Sequence, residues 1–127
     1  MEEDTQREKK ILIADDNQDS RELVMKVLGN KGFRLLEAVD GEDALNKITS
    51  EKPDLVLMDI SMPKIDGHEL TRRLKLQDEF KDIPIIALTA HAMKGDKEKA
   101  LAAGCKGYIT KPINVREFRE QITQFLR

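Results

Sequence analysis

Three aspartates follow short apolar segments of the sequence. Asp15 and Asp16 come directly after Ile11–Ala14, and Asp59 comes directly after Leu55–Met58. Unbroken apolar runs of this length are typical of strands buried in a parallel sheet, whose carboxyl ends meet at one edge. Carboxylates gathered there would repel one another and raise at least one pKa. A hard divalent cation would offset that repulsion, and Mg²⁺ suits a site of few carboxylates and several waters.

Two further residues are predicted to lie at the same edge of the sheet. Thr89 follows the apolar run Ile85–Leu88, and Lys111 follows Tyr108–Thr110. A hydroxyl can donate a hydrogen bond to a phosphoryl oxygen, and an ammonium group can pair with another such oxygen. Three carboxylates, one Mg²⁺ and Lys111 together carry no net charge. The pattern therefore indicates a site that holds a metal ion and a phosphoryl group.

A purely structural interpretation of the first two aspartates is also open. Short polar side chains after a strand often turn the chain, and Asn17 can cap the helix that follows. Asp15 and Asp16 taken alone do not decide between these interpretations. The additional polar residues at the other strand ends favour the interpretation of these aspartates as part of a binding site.

The elements that would position these residues alternate along the whole chain. Five segments are predicted as strands: Ile11–Ala14, Arg34–Val39, Leu55–Met58, Ile85–Leu88 and Tyr108–Thr110. The first, third and fourth are unbroken apolar runs, whereas the second is mixed and the fifth is short, as expected of edge strands. Right-handed crossovers then favour a doubly wound α/β fold, with a five-stranded parallel sheet of order 2-1-3-4-5. This order places a ligand-binding crevice between strands one and three.

The segments between the predicted strands have the periodicity of amphipathic helices. The first helix presents Leu23, Val24, Val27 and Leu28, the second Ala44, Leu45 and Ile48, and the third Leu70, Leu74 and Leu76. A polar fourth helix is predicted from about Met93 to Ala103. The last is capped by Asn114 and carries an apolar face of Val115, Phe118, Ile122, Phe125 and Leu126.

Composition limits the class of protein. The 127 residues favour one domain, and 36% charged with 39% hydrophobic residues is a soluble, globular balance. A net charge of −2 lacks the positive excess that is typical of nucleic-acid-binding proteins. No apolar run in the sequence approaches the length of a membrane span. The single cysteine, Cys105, and the absence of a signal peptide favour the cytoplasm. We expect residues 1–9 to be a flexible charged leader and residues 10–127 to form the domain.

The residues at these strand ends resemble a known family. The pair Asp15-Asp16, Asp59 within 58–63, Gly67, Thr89-Ala90 and Lys111-Pro112 occur in the order typical of the receiver domain of two-component response regulators. The resemblance extends from Lys10 to the end of the chain. It implies a flavodoxin-like (βα)5 fold of the single-domain, chemotaxis-type architecture. The amino-acid sequence of residues 88–93 is similar to the corresponding segment in receivers of hybrid sensor kinases.

The resemblance implies a role for each matched residue. Asp59 would accept a phosphoryl group from the phosphohistidine of a histidine kinase or a histidine phosphotransfer protein. Mg²⁺, which Mn²⁺ could replace, would bind to Asp16, Asp59 and the backbone carbonyl of Ser61, and to Asp15 mainly through water. Lys111 would stabilise the charge on the transferred group, and the Lys111-Pro112 peptide bond is expected to be cis. The protein would then act as a switch and not as an enzyme, apart from its own phosphorylation and dephosphorylation.

Further residues are expected to transmit or tune the signal. Thr89 would move to the phosphoryl group and Tyr108 would follow, changing the surface of the fourth helix, fifth strand and fifth helix for a downstream effector. His91 and Ser61 would tune the lifetime of the phosphoryl group. Met25, which is expected to lie off the buried arc of the first helix, would contact the phosphodonor protein.

Alternative functions remain open at this point. The chain could be a receiver excised from a hybrid histidine kinase, or a receiver-like interaction module that is never phosphorylated. A phosphatase of the haloacid-dehalogenase type needs a second acid two residues after the nucleophile, where this chain has Ser61. A flavodoxin-like cofactor carrier needs a phosphate-binding loop after strand one, and Asp15 and Asp16 would repel a phosphate there.

Overall fold

The computed structural model describes residues 8–29, 32–60, 67–89 and 95–126. Strands and helices alternate through these ranges. In chain order they are β1 (Lys9–Ala14), α1 (Gln18–Leu28), β2 (Phe33–Ala38), α2 (Gly41–Glu51), β3 (Leu55–Asp59), α3 (Gly67–Lys75), β4 (Ile85–Thr89), α4 (Asp96–Ala103), β5 (Gly107–Thr110) and α5 (Val115–Phe125). The predicted leader lies almost entirely outside the described residues, and Lys9 already belongs to β1.

The strands form one parallel sheet in the order β2-β1-β3-β4-β5, as predicted. β1 lies beside β3, with Ala14 opposite Met58, so the residues after these two strands meet at one edge. β4 lies beside β5, with Thr89 opposite Thr110. The topology therefore places all the candidate strand ends on the same side of the molecule.

Alternate residues of the strands pack into two cores, one on each face of the sheet. Ile11 and Ile13 of β1 pack with α1 and α5, through side chains that include Val24 and Phe118. Leu12 and Ala14 belong to the opposite core, which α2, α3 and α4 cover. The interior strands are buried on both sides, which explains why they appear in the sequence as unbroken apolar runs. None of the helices in the described ranges is long and apolar enough to cross a membrane.

Side-chain caps fix where two helices begin. The Asn17 side chain accepts a hydrogen bond from the backbone N–H of Ser20, and so caps α1 next to Asp15-Asp16, the acidic loop between β1 and α1. Asn114 caps α5 by accepting from the N–H groups of Arg116 and Glu117. Both caps satisfy backbone donors that an uncapped first turn would leave unpaired. The structural interpretation of Asn17 is therefore confirmed, and it is compatible with a site formed by the two aspartates before it.

The predicted orientation of α1 was wrong. Met25 is half-buried and packs against the core, whereas Leu23 is 41% exposed. The buried centre of this helix is formed by Val24 and Leu28. Leu28 lies about 40° beyond Val24 around the helix, on the side of Met25, because each residue turns the helix by about 100°. This turns Met25 toward the core and Leu23 toward solvent.

Two residues predicted to lie on apolar helix faces are exposed at the ends of their helices. Leu76 is 85% exposed because α3 ends at Lys75. Val115 is exposed at the first turn of α5, although Phe118 and Ile122 of the same face are buried. The described part of α4 begins at Asp96, after Gly95 in the left-handed region at φ 91°, and Met93 lies outside the described residues.

Candidate functional site

The three aspartates converge at the carboxyl edge of the sheet. Asp15 follows β1, Asp59 ends β3, and one carboxylate oxygen from each of Asp15, Asp16 and Asp59 lies within 4.8 Å of the others. Asp15 and Asp59 are buried, while Asp16 is exposed. An all-oxygen donor set open to solvent on one side suits a hard divalent cation that keeps several waters. The predicted acidic cluster is therefore confirmed as a group able to bind a metal.

Lys111 extends from the end of β5 into this cluster. Its Nζ donates to Asp15 Oδ2 at 2.6 Å and to Asp59 Oδ2 at 3.3 Å. The Lys111 backbone N–H donates to the Thr89 carbonyl at 2.7 Å, which ties the residue to the end of β4. The Lys111-Pro112 peptide bond is cis, as predicted. One ammonium group thus joins the two buried carboxylates.

Burial and charge act against each other within this cluster. Burial raises the pKa of Asp15, and outweighs the hydrogen bond from Lys111 and the Asn17 N–H, which act in the opposite direction. Burial on its own would lower the pKa of Lys111, but the hydrogen bond to Asp15 and the charge of Asp59 raise it. Lys111 is therefore held as a cation between the carboxylates of Asp15 and Asp59.

Both carboxylate oxygens of Asp15 accept hydrogen bonds from within the protein. Oδ2 accepts from Lys111 Nζ, and Oδ1 accepts from the Asn17 N–H at 2.9 Å. Asp16, in contrast, is an exposed carboxylate at the mouth of the cluster. The Asp15 carboxylate is therefore fixed by hydrogen bonds within the protein, whereas the Asp16 carboxylate is accessible to solvent.

The remaining predicted residues fall into two groups. Thr89 is buried at the end of β4, one residue beyond Leu88, which lies opposite Asp59 in the sheet. Tyr108 is half-buried against the core beneath α4. Partial burial and the carboxylates of Asp96 and Glu98 raise the pKa of its phenol. Ser61 and His91 lie outside the described residues.

Sequence reasoning missed a second group of residues behind the acidic loop. Arg21 of α1 donates from Nη1 to the Asp15 carbonyl at 2.7 Å and from Nε to Glu37 Oε1 at 3.1 Å. Lys47 of α2 donates to the Glu37 backbone carbonyl. A charged side chain beside an apolar helix face ordinarily indicates a solvated residue, so nothing in the spacing of Arg21 points to this contact.

A groove adjoins the acidic cluster. It has a volume of about 380 Å³ and lies between Ser20, Leu23 and Val24 of α1, Leu88 of β4, and residues 111–113. Lys111 therefore borders both the groove and the acidic cluster. The lining is mainly apolar, and the exposed Leu23 side chain stands at its α1 side.

Comparison with known proteins agrees with this geometry. The sequence profile of the response regulator receiver domain matches residues 11–123. The polar-differentiation response regulator DivK of Brucella anthropi is 41% identical over 118 residues, which are 93% of this chain and 96% of that protein.

Solved structures show the same fold. The chemotaxis response regulator CheY4 of Vibrio cholerae superposes with a TM-score of 0.86 at 28% identity, over 93% of this chain and 98% of that one. The receiver domain of a sensor histidine kinase from Pseudomonas aeruginosa has a TM-score of 0.85 at 32% identity, over 94% of this chain and 98% of that one. That structure contains a magnesium ion coordinated in its active-site cleft. With its parallel sheet, acidic cluster and bridging lysine, the chain belongs to the response regulator receiver domains, signalling switches that accept a phosphoryl group in two-component systems.

Proposed function

We propose that Asp59 is the phosphoacceptor and that phosphohistidine is its donor. One carboxylate oxygen of Asp59 attacks phosphorus, the P–N bond of the phosphohistidine breaks, and the imidazole nitrogen leaves with the bonding electron pair. The product is an acyl phosphate on Asp59. The observation that carries this proposal is the Lys111 ammonium, which lies 3.3 Å from Asp59 Oδ2 at the carboxyl edge of the sheet.

Asp16, Asp59 and the Ser61 carbonyl are the groups proposed to hold Mg²⁺, with Asp15 acting through water. The carboxylates of the cluster supply the hard oxygen ligands that this ion prefers. When bound, the ion would neutralise charge on the phosphoryl oxygens during transfer. Lys111 would meanwhile move part of its hydrogen bonding from Asp15 to a phosphoryl oxygen, because the acyl phosphate adds about one negative charge.

We propose Thr89 and Tyr108 as the residues that carry the change outward. The Thr89 hydroxyl would donate to a phosphoryl oxygen on Asp59, and Tyr108 would rotate toward the space that Thr89 leaves. Tyr108 packs beneath α4, so its movement would alter the surface formed by α4, β5 and α5. The acyl phosphate would favour this arrangement only by its greater affinity for it.

The test is incubation with a small acyl-phosphate donor, with and without Mg²⁺. Intact mass is expected to increase by one phosphoryl group only when Mg²⁺ is present. The ring resonances of Tyr108, the single tyrosine of the chain, are expected to shift in the same samples. A chain that gains no phosphoryl group from this donor or from a phosphorylated histidine phosphotransfer domain would contradict the proposal and favour a constitutive interaction module.

The groove beside Lys111 is the proposed docking surface for a helix that carries the donor histidine. An occupant of this groove would be continuous with the site, because Lys111 borders both. The apolar lining suits the apolar face of a helix. Leu23 therefore replaces Met25 as the proposed contact on α1, since Leu23 is exposed at the groove and Met25 packs inward.

Leu23→Lys is expected to slow transfer from a phosphorylated histidine phosphotransfer domain by about tenfold, because it removes an apolar contact at the interface. Phosphorylation by a small acyl phosphate should be unchanged, since that donor does not need the groove. Leu101→Lys is the matched control, because Leu101 is comparably exposed on α4, outside the lining of the groove. Equal transfer rates for the two variants would refute docking at the groove.

A further inference from the structure

A partly buried arginine of α1, Arg21, holds the backbone of the acidic loop. Arg21 donates from Nη1 to the backbone carbonyl of Asp15 at 2.7 Å, and its side chain is only 12% exposed. The loop is anchored on its other side by the Asp15 N–H, which donates to the Ala38 carbonyl at 3.0 Å. The peptide units on both sides of Asp15 are therefore fixed to neighbouring elements.

The carbonyl that Arg21 holds belongs to the peptide unit between Asp15 and Asp16. Its orientation determines how the two carboxylates are placed relative to each other and to Asp59. A rotation of this peptide unit would move Asp16, whose carboxylate is exposed and makes none of the cross-strand contacts that hold Asp15. Arg21 is thus positioned to control the carboxylate that is most accessible to a cation.

Glu37 keeps Arg21 in this orientation. Arg21 Nε donates to Glu37 Oε1 at 3.1 Å, so one guanidinium group joins α1, the acidic loop and strand β2. Lys47 of α2 donates to the backbone carbonyl of Glu37 and ties the end of β2 from the other side of the sheet. A planar guanidinium can donate hydrogen bonds to a carbonyl and a carboxylate at fixed angles. A lysine ammonium does not provide this fixed geometry.

We propose that Arg21 is a positioning residue for the cation site, acting through the peptide unit between Asp15 and Asp16, with Glu37 as its orienting partner. This inference rests on the proposed function, because it assumes that the acidic cluster binds the divalent cation used in phosphoryl transfer. Groups that orient metal ligands without touching the metal commonly contribute a factor of about 10 to 100 in affinity.

Replacement of Arg21 should change the affinity for a cation in opposite directions, depending on whether Arg21 acts through its charge or by orienting the peptide unit. Arg21→Met removes a positive charge close to the carboxylates, so electrostatics alone would tighten the binding of a cation. If Arg21 instead positions the peptide unit, the same variant should weaken that binding. Arg21→Lys retains the charge but loses the forked geometry, and should therefore also weaken binding.

The experiment is a titration with Mn²⁺ followed by electron paramagnetic resonance of the free ion, with Mg²⁺ as competitor. Arg21→Met and Arg21→Lys are each expected to weaken Mn²⁺ affinity about tenfold. The Mg²⁺ concentration needed for half-maximal phosphorylation by an acyl phosphate should rise by a similar factor, while the rate at saturating Mg²⁺ should change less. Arg21→Lys supplies the test if Arg21→Met does not fold.

Lys10→Met is the matched control. Lys10 Nζ likewise contacts one backbone carbonyl and one carboxylate. It donates to the Glu51 carbonyl at 3.1 Å and lies 3.5 Å from Glu51 Oε1, but near the opposite end of β1. A merely structural role for Arg21 would lower stability in both variants and leave Mn²⁺ affinity unchanged in both. Arg21 variants that bind Mn²⁺ as tightly as the wild type, or more tightly, overturn the inference alone. A wild type that binds no Mn²⁺ overturns it together with the proposed function.

Discussion

Asp59→Asn is expected to abolish phosphorylation, with a loss of at least about 1,000-fold in the rate of transfer from a small acyl phosphate. The amide has no anionic oxygen to attack phosphorus and cannot form the acyl phosphate. The fold should persist, because asparagine has nearly the same shape and can still accept a hydrogen bond from Lys111. The variant should also bind Mg²⁺ more weakly, since one of the three clustered carboxylates is lost.

Intact mass after incubation with Mg²⁺ and the donor measures this effect. Asp78→Asn is the matched control, because it is the same substitution at a side chain that is 99% exposed and outside the cluster. The control should be phosphorylated like the wild type. An Asp59→Asn protein that gains a phosphoryl group at the rate of Asp78→Asn would refute the assignment of Asp59.

Lys111→Met is expected to reduce phosphorylation and stability together. Loss of the ammonium group should slow transfer by about 100-fold or more, since it removes a fixed positive charge from the reacting oxygens. It also leaves Asp15 and Asp59 buried without their shared cation, which should cost about 3–5 kcal/mol in the free energy of unfolding at neutral pH. Added Mg²⁺ should restore more stability to the variant than it adds to the wild type, because the ion replaces the missing charge.

The pH dependence of this loss follows from the two pKa shifts. The pKa of Lys111 is raised in the folded protein, so its contribution is present below the ordinary pKa of lysine and is lost as pH rises through the raised value. The pKa of Asp15 is raised by burial, so acid protonates it early and removes the unpaired charge from the variant. The difference in stability between wild type and Lys111→Met should therefore be largest near neutral pH and smaller at both extremes.

Urea unfolding followed by far-ultraviolet circular dichroism measures these stabilities. Lys99→Met, on the exposed face of α4, is the control for removal of a lysine charge without loss of a buried pair. A Lys111→Met protein as stable as Lys99→Met at pH 7 would contradict the proposed importance of the bridge between the two carboxylates.

The fold could be predicted because its strands differ in burial. Segments such as Leu55–Asp59 are covered on both faces, so every residue is apolar until the carboxyl edge of the sheet is reached. The mixed composition of Phe33–Ala38 reflects its place at the edge of the sheet. These contrasts place β2 and β5 at the edges of the sheet. The parallel orientation of the strands brings Asp15, Asp59 and Lys111 to one edge, and the strand order sets β1 beside β3.

Side-chain direction and long-range pairing could not be predicted in the same way. Leu23 and Met25 are both apolar neighbours of Val24, and a modest rotation of α1 decides which of them is buried. The contact of Arg21 with Glu37 joins a helix to an edge strand across 16 positions, and neither residue type is unusual on a surface. Such pairs depend on the final distance between elements, which periodicity does not encode.

The most direct test of the central claim is to trap the phosphorylated residue. Borohydride reduces an acyl phosphate on aspartate to homoserine, which peptide mass spectrometry can locate in the phosphorylated chain. Phosphorylation of Asp59 predicts homoserine at position 59 in the sample treated with donor and Mg²⁺, and aspartate there when Mg²⁺ is omitted. A phosphoryl group found instead on another side chain, such as Asp16, His68 or Thr89, would contradict it.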